Sequence, residues 1–108
     1  MKTTKVNDAL TRALNGRLME KEYEIIKSYS KYVLYGYTFT LPKLLTVDDI
    51  ISMAITKFYN ARENFDHSIG KPITFFTTIL TNEVKKQNMI YNKAANKIPE
   101  NNFIINTM

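Results

Sequence analysis

Residues 46–87, TVDDIISMAITKFYNARENFDHSIGKPITFFTTILTNEVKKQ, read as two helices joined by a turn, with acid at the front of the first and base at the end of the second. Thr46 with Asp49 three positions on has the form of a capping box, in which side chains and backbone amides satisfy one another at a helix start. Asp48 and Asp49 also stand where the positive end of the helix dipole favours carboxylates. Behind them Ile50, Ile51, Ala54, Ile55, Phe58, Ala61 and Phe65 form a wide apolar stripe that must be buried against other helices. Residues 66–72 have a loop composition, in which Gly70 can supply a positive φ and Pro72 can open the next helix. That helix is predicted from Pro72 or Thr74 to Ala94, with Phe76, Ile79, Leu80 and Val84 facing inward.

Toward the N-terminus, residues 19–35 carry Tyr23, Ile26, Tyr29 or Ser30, Val33 and Leu34 every three or four positions, and Gly36 ends the pattern. Residues 37–45, with Thr38, Thr40 and Pro42, suit an extended connection. A shorter helix is predicted over residues 7–14, where Ala9, Leu10, Ala13 and Leu14 share a face and Gly16 follows the end. After Asn96 no period is visible, and Phe103, Ile104 and Ile105 give the tail a means of folding back. The fold class is therefore all-α: a compact bundle of three to four helices, three of them principal and antiparallel. Residues 1–18 form a short N-terminal helix or arm, 19–96 the helical domain and 97–108 a tail. Its seam is expected at Ile26, Val33, Ile51, Ile55, Phe58, Phe76, Ile79 and Val84.

With 108 residues, 44% of them hydrophobic, the chain has material for one core. No apolar run approaches the roughly 20 residues that span a bilayer, and the first residues lack the apolar block of a signal peptide. The expectation is a cytoplasmic protein with no membrane partner. There is no cysteine and a single histidine, so neither a disulfide framework nor a Cys- or His-based metal site is expected, and no cofactor is implied. The net charge of +5 is uneven: +3 over residues 1–19, −1 over 20–66, +4 over 67–98 and −1 over 99–108. A basic block of this kind favours a polyanionic partner, because each phosphate neutralised releases condensed counterions.

No nucleophile, base and orienting group can be named together, so the chain is not expected to be an enzyme. His67 reads as a solvated or turn-bonding residue. Asp48 and Asp49 point in different directions on a helix; capping accounts for them, and an exposed acidic patch is the alternative. Gly16, Gly36 and Gly70 are isolated, which disfavours a phosphate-binding loop. Phe75 and Phe76 cannot both face one core: Phe76 is assigned to it, and Phe75 either stacks on an unpaired base or packs at the periphery. Thr77, Thr78, Thr81, Asn82, Lys85 and Lys86 form either a solvated face or a reader. Asn pairs a donor with an acceptor for a base edge, and lysine brings charge to phosphate. The tyrosines Tyr23, Tyr29, Tyr32 and Tyr35 read as core and core-rim packing with hydroxyls reaching water.

The pieces Asp48-Asp49-Ile50-Ile51, Lys57-Phe58-Tyr59, Phe65-Asp66, Gly70-Lys71, Thr74-Phe75-Phe76 and Ile79-Leu80-Thr81-Asn82, in this order, resemble region 2 of bacterial sigma factors, especially the extracytoplasmic-function type. The resemblance implies a helix that docks on the clamp helices of the RNA polymerase beta-prime subunit. A following loop and helix would capture the non-template strand of the minus-ten promoter element with one base flipped from the stack. Asp48, Asp49, Ser52, Met53 and Thr56 become candidate polymerase contacts. Asp66, His67, Ser68, Gly70, Lys71, Phe75, Thr78, Asn82, Lys85 and Lys86 become candidate DNA contacts, the loop holding the flipped base, Asn82 meeting base or backbone and the two lysines holding phosphate.

Two departures from the family pattern stand out. Ser52-Met53 replaces the usual Gln-Glu pair, removing part of the polar contact to polymerase. The residues after Ala95 are too few for the second helix-turn-helix domain of a complete sigma factor, so a separate region 4-like subunit or a phage or mobile-element regulator is implied. The first expectation is a promoter-recognition module that binds RNA polymerase core and single-stranded promoter DNA. The alternatives are a polymerase-binding adaptor or anti-sigma-like regulator that does not read DNA, and a basic protein that binds nucleic acid non-specifically. An exposed face shared by Asn82, Lys85, Lys86 and the 66–71 loop distinguishes the first from the adaptor.

Overall fold

The computed structural model describes residues 3–36, 41, 45–68 and 70–97, with side chains to residue 92. Four α-helices, α1 (Thr3–Leu14), α2 (Glu20–Leu34), α3 (Val47–Asn60) and α4 (Pro72–Lys97), and a 3-10 turn at Arg62–Asn64 account for most of them. There is no strand among the described residues. The helices form a ring in which α1 packs on α2, α2 on α3, α3 on α4 and α4 back on α1. The expected extended connection falls outside the described residues except for Leu41 and Leu45, and the tail beyond Lys97 lies outside them altogether.

Local chemistry sets each boundary. At the head of α3 the Asp49 N–H donates to Thr46 Oγ1 at 3.2 Å and the Thr46 N–H donates to Asp49 Oδ2 at 2.9 Å, completing the capping box. Leu45 and Ile50, at the two positions of a hydrophobic staple, both join the core. Helix α1 ends in a Schellman arrangement: the Gly16 N–H donates to the Ala13 carbonyl and the Arg17 N–H to the Arg12 carbonyl. Gly16 adopts φ +91°, where a Cβ would be strained. Helix α3 stops at Asn60, earlier than the apolar stripe implied. Ala61 moves to φ −96°, ψ 10°, one 3-10 turn follows, and Phe65 is extended. Asn60 and Asn64 give up little helix propensity at this break.

Helix α1 begins at Thr3 and is a structural wall: Val6, Ala9, Leu10, Ala13 and Leu14 are all buried. The core also contains Ile26, Tyr29, Leu34, Ile50, Ile51, Ala54, Ile55, Phe58, Phe76, Leu80 and Val84. The seam expected from sequence is correct at six of its eight positions. Val33 and Ile79 are only partly buried, at the edge of the core, while Leu34 and Leu80, which adjoin them in the same apolar patterns, are fully inside. Burial along α4 ends at Gln87, and the helix continues with Met89 and Ile90 exposed. Tyr32 and Tyr35 also stand in solvent, at 58% and 86% exposure, where the tyrosine spacing implies packing.

Two polar ties cross the ring. Glu22, at the start of α2, receives the Arg12 Nε at 2.8 Å and the Met19 N–H at 3.1 Å, and the Arg12 hydrogen bond outweighs burial to hold its carboxyl below the usual range. Between α3 and α4, Lys57 donates to Glu83, whose other oxygen accepts from Gln87 Nε2 at 3.0 Å. Glu83 is 1% exposed. Burial pushes this carboxyl upward, yet the Lys57 and Gln87 donors with the charges of Lys57 and Lys86 leave it below its ordinary value.

Candidate nucleic-acid interface

Between α3 and the first two turns of α4 lies an open pocket of about 270 Å³ lined by Asn64, Phe65, Asp66, Gly70, Lys71, Thr74, Phe75 and Thr78. Its apolar wall is the end of an aromatic chain that starts in the core. Tyr29 lies 6.5 Å from Phe76, Phe76 5.5 Å edge-on from Phe58, Phe58 5.7 Å from Phe75, and Phe75 5.2 Å from Phe65. His67 closes the chain edge-on to Phe65 at 4.6 Å. Phe75 is therefore half-buried and ring-packed, and it reaches the pocket without being a free stacking side chain.

Asp66 shapes the loop. Its Oδ1 accepts the Ser68 N–H at 2.9 Å and the Ser68 hydroxyl at 2.6 Å, an Asx turn that leaves Oδ2 without a donor among the described residues. The Ser68 hydroxyl and then the Ser68 amide hold the carboxyl below its usual range, so it is ionised at neutral pH. The pocket thus offers aromatic faces, a fixed acceptor, and one cation, Lys71. These suit a nucleobase that carries hydrogen-bond donors, with a phosphate at the rim.

Helix α4 is placed from a distance. Pro72 opens it, the Thr74 and Phe75 amides donate back to the Lys71 carbonyl, and the Ile73 N–H donates to Asn7 Oδ1 of α1 at 3.1 Å. A side chain 66 residues away in sequence thus caps the helix that carries the pocket. Lys71, Thr78, Asn82 and Lys85 follow at spacings of seven, four and three, which puts them on one solvent-facing line opposite Phe76, Leu80 and Gln87. Lys86 is exposed one step around the helix, toward Glu83. Asn82 and Lys85 therefore share an exposed face with Lys71 and Thr78, with Lys86 on its flank.

The second group of candidates occupies α3. Ser52 and Thr56 are exposed, Asp49 is engaged in the cap and Met53 is half-buried on the side away from Ala54 and Phe58, while Asp48 is exposed on the flank toward α2. Asp48 meets Lys31 at 3.7 Å, a surface pair of small energetic weight. Ser52 Oγ shares a 2.8 Å hydrogen bond with the Tyr23 hydroxyl, tying α2 to this surface. Sequence reasoning missed Asn64, Phe65 and Thr74 as pocket walls, and Asn7, Lys57 and Glu83 as supports. Phe65 reads in sequence as part of a continuous helical stripe, and nothing local marks Asn7 as a remote cap.

The fold and the site together define an all-α domain that carries an aromatic, lysine-flanked pocket at a loop–helix junction. The family model described as Sigma-70 region 2 matches residues 24–87, more than half of the chain, and the chain belongs to that family. The matched segment runs from α2 to Gln87, the last buried position of α4 among the described residues. Membership gives the chain a sigma-factor-like role, in general terms, in RNA polymerase binding and promoter melting. Neither the curated proteins nor the solved structures gave a match. No helix among the described residues is long and apolar enough to cross a membrane.

Proposed function

We propose that this chain binds RNA polymerase core through the exposed side of α3 and captures one unpaired base of the minus-ten promoter element in the pocket beneath the 66–71 loop. The observation that carries this reading is the alignment of that pocket with the exposed line Lys71, Thr78, Asn82 and Lys85. A base turned out of the stack would lie against Phe65 and Phe75 and give an amino proton to Asp66, while Lys71 takes the adjoining phosphate. Lys85 and Lys86 then supply salt-dependent affinity farther along the strand or at the duplex edge. The candidate polymerase contacts are Asp48, Asp49, Ser52, Met53 and Thr56, which meet the beta-prime clamp helices. The protein positions the strand and catalyses no reaction of its own.

The test is selection from a random single-stranded DNA pool by core RNA polymerase carrying the full chain, with core alone as the blank. The expected result is enrichment of strands with one position fixed to a base that bears an exocyclic amino group, lost with Phe75→Ala. A pool no different from that of core alone would contradict the reading.

A further inference from the structure

Helix α1 is tied to both walls of the base pocket. On the α4 side, Asn7 Oδ1 accepts the Ile73 N–H at 3.1 Å, and the residues flanking Ile73 in sequence, Lys71, Thr74 and Phe75, line the pocket. On the other side, α1 packs on the 3-10 turn Arg62–Asn64. The turn that ends α1 adds a second anchor, since the Tyr59 hydroxyl donates to the Gly16 carbonyl at 3.2 Å. Arg62 lies over the Tyr59 ring at 4.1 Å and donates to the Tyr59 carbonyl at 2.8 Å, just ahead of the pocket residues Asn64 and Phe65. We propose that α1 fixes the separation of the two walls, and that Asn7 and Tyr59 are positioning residues for base capture. The proposal rests on the base-capture reading above and gives a role to a helix that precedes the matched residues 24–87.

The role follows from where the first amides of α4 are bonded. Pro72 carries no N–H, and the Thr74 and Phe75 amides both return to the Lys71 carbonyl, which belongs to the loop itself. The Ile73 amide is bonded to another helix instead, so its acceptor sets where the first turn of α4 sits. Packing of Phe76 holds α4 against the core, but apolar contact is non-directional, whereas a hydrogen bond has a preferred length and angle. Helix α1 is a rigid link between the two anchors. About 10 Å of helix separates Asn7 from Leu14, and Val6, Ala9, Leu10, Ala13 and Leu14 fix it in the core.

Base contacts and phosphate contacts respond differently to a small movement of the walls. Stacking against Phe65 and Phe75 and the hydrogen bond to Asp66 depend on the gap between the walls, because dispersion and hydrogen bonding fall off within about 1 Å. The attraction of Lys85 and Lys86 for phosphate acts through water over a Debye length of about 8–10 Å and is indifferent to such a shift. Loss of an α1 anchor therefore appears in what the base contributes to affinity and leaves the salt dependence alone.

The experiment measures retention of fluorescein-labelled dC12, and of the matching abasic strand with the same phosphates, by core RNA polymerase carrying the full chain, minus core alone. The ratio of the two affinities reports the base contacts, and it cancels the fraction folded because one preparation binds both strands. Wild type is compared with Asn7→Ala, Asn7→Asp, Tyr59→Leu and Phe75→Ala, each checked for native helical content. Asn7→Asp keeps an acceptor oxygen in place, and Tyr59→Leu breaks the second anchor independently of the first. The ratio is expected to fall roughly fivefold in Asn7→Ala and Tyr59→Leu, the worth of about one hydrogen bond, and to stay within about twofold of wild type in Asn7→Asp. The slope of log affinity against log salt is expected to be unchanged in all three. A ratio unchanged in both Asn7→Ala and Tyr59→Leu, or one that falls as far in Asn7→Asp as in Asn7→Ala, would overturn the positioning role. Base capture would still stand if Phe75→Ala lowered the ratio. No retention above core alone, or a ratio indifferent to Phe75→Ala, would overturn both.

Discussion

Replacing Lys57 by Met tests the strut that joins the two working faces, because Lys57 lies on α3 with the polymerase candidates and its partner Glu83 lies on α4 with the DNA candidates. The Glu83 side chain is 1% exposed and the Lys57 side chain 49% exposed. Breaking a fully buried ion pair from one side costs about 3–5 kcal/mol. Water can reach the half-exposed Lys57 position and Gln87 still donates to Glu83, so the expected loss is about 2 kcal/mol. In a domain of this size that lowers Tm by roughly 10 °C. The double variant Lys57→Met/Glu83→Leu should recover at least half of the loss, since an apolar pair in place of a buried ion pair is often neutral.

The pH dependence carries the sign. Glu83 has a lowered folded pKa, so its contribution is present above its ordinary 4.5 and lost as pH falls through the folded value. Lys57 is raised, chiefly by its hydrogen bond to Glu83, so its contribution is present below 10.5 and lost as pH rises through the folded value. Urea unfolding of wild type and Lys57→Met should therefore show the full difference near neutrality and a much smaller one at about pH 3. A difference under about 0.5 kcal/mol at neutral pH, or one equally large in acid, would refute the strut.

Other outcomes follow from the same structure. Asn7→Ala removes the remote cap of α4 and should cost about 0.5–2 kcal/mol in urea unfolding, a figure that a loose N-terminal arm would not produce. Gly16→Ala places a Cβ at φ +91° and should lower stability by about 1 kcal/mol, although nothing lies within 4 Å of the new atom. Lys85→Ala/Lys86→Ala should flatten the salt dependence of single-strand retention by up to about 0.7 for each phosphate no longer neutralised, read from the slope of log affinity against log salt.

The helical class is legible in the sequence because four apolar patterns have clear stops: Gly16, Gly36, the Thr46–Asp49 box and Pro72 each mark a boundary that the backbone respects. The inward set is less secure where two apolar residues adjoin. Val33-Leu34 and Ile79-Leu80 each offer alternatives one helical step apart, and only the neighbouring helices decide between them. The loop and the solvent line of α4 are readable from composition and period. The pocket wall is not, since Phe65 fits the α3 stripe in sequence but leaves the helix after Asn60 and turns to Phe75. Asn7, Glu83 and Tyr29 act across 66, 26 and 48 residues, and no local pattern encodes such partners.

Polymerase binding through α3 is the central claim, and retention of the full chain by immobilised beta-prime clamp fragment tests it most directly. The comparison is with Asp48→Lys/Thr56→Arg, which changes two exposed positions and leaves the core and the cap intact. Wild type is expected to be retained and the variant, equally helical, to be lost. Equal retention of the two, or retention of neither at low salt, would contradict the claim.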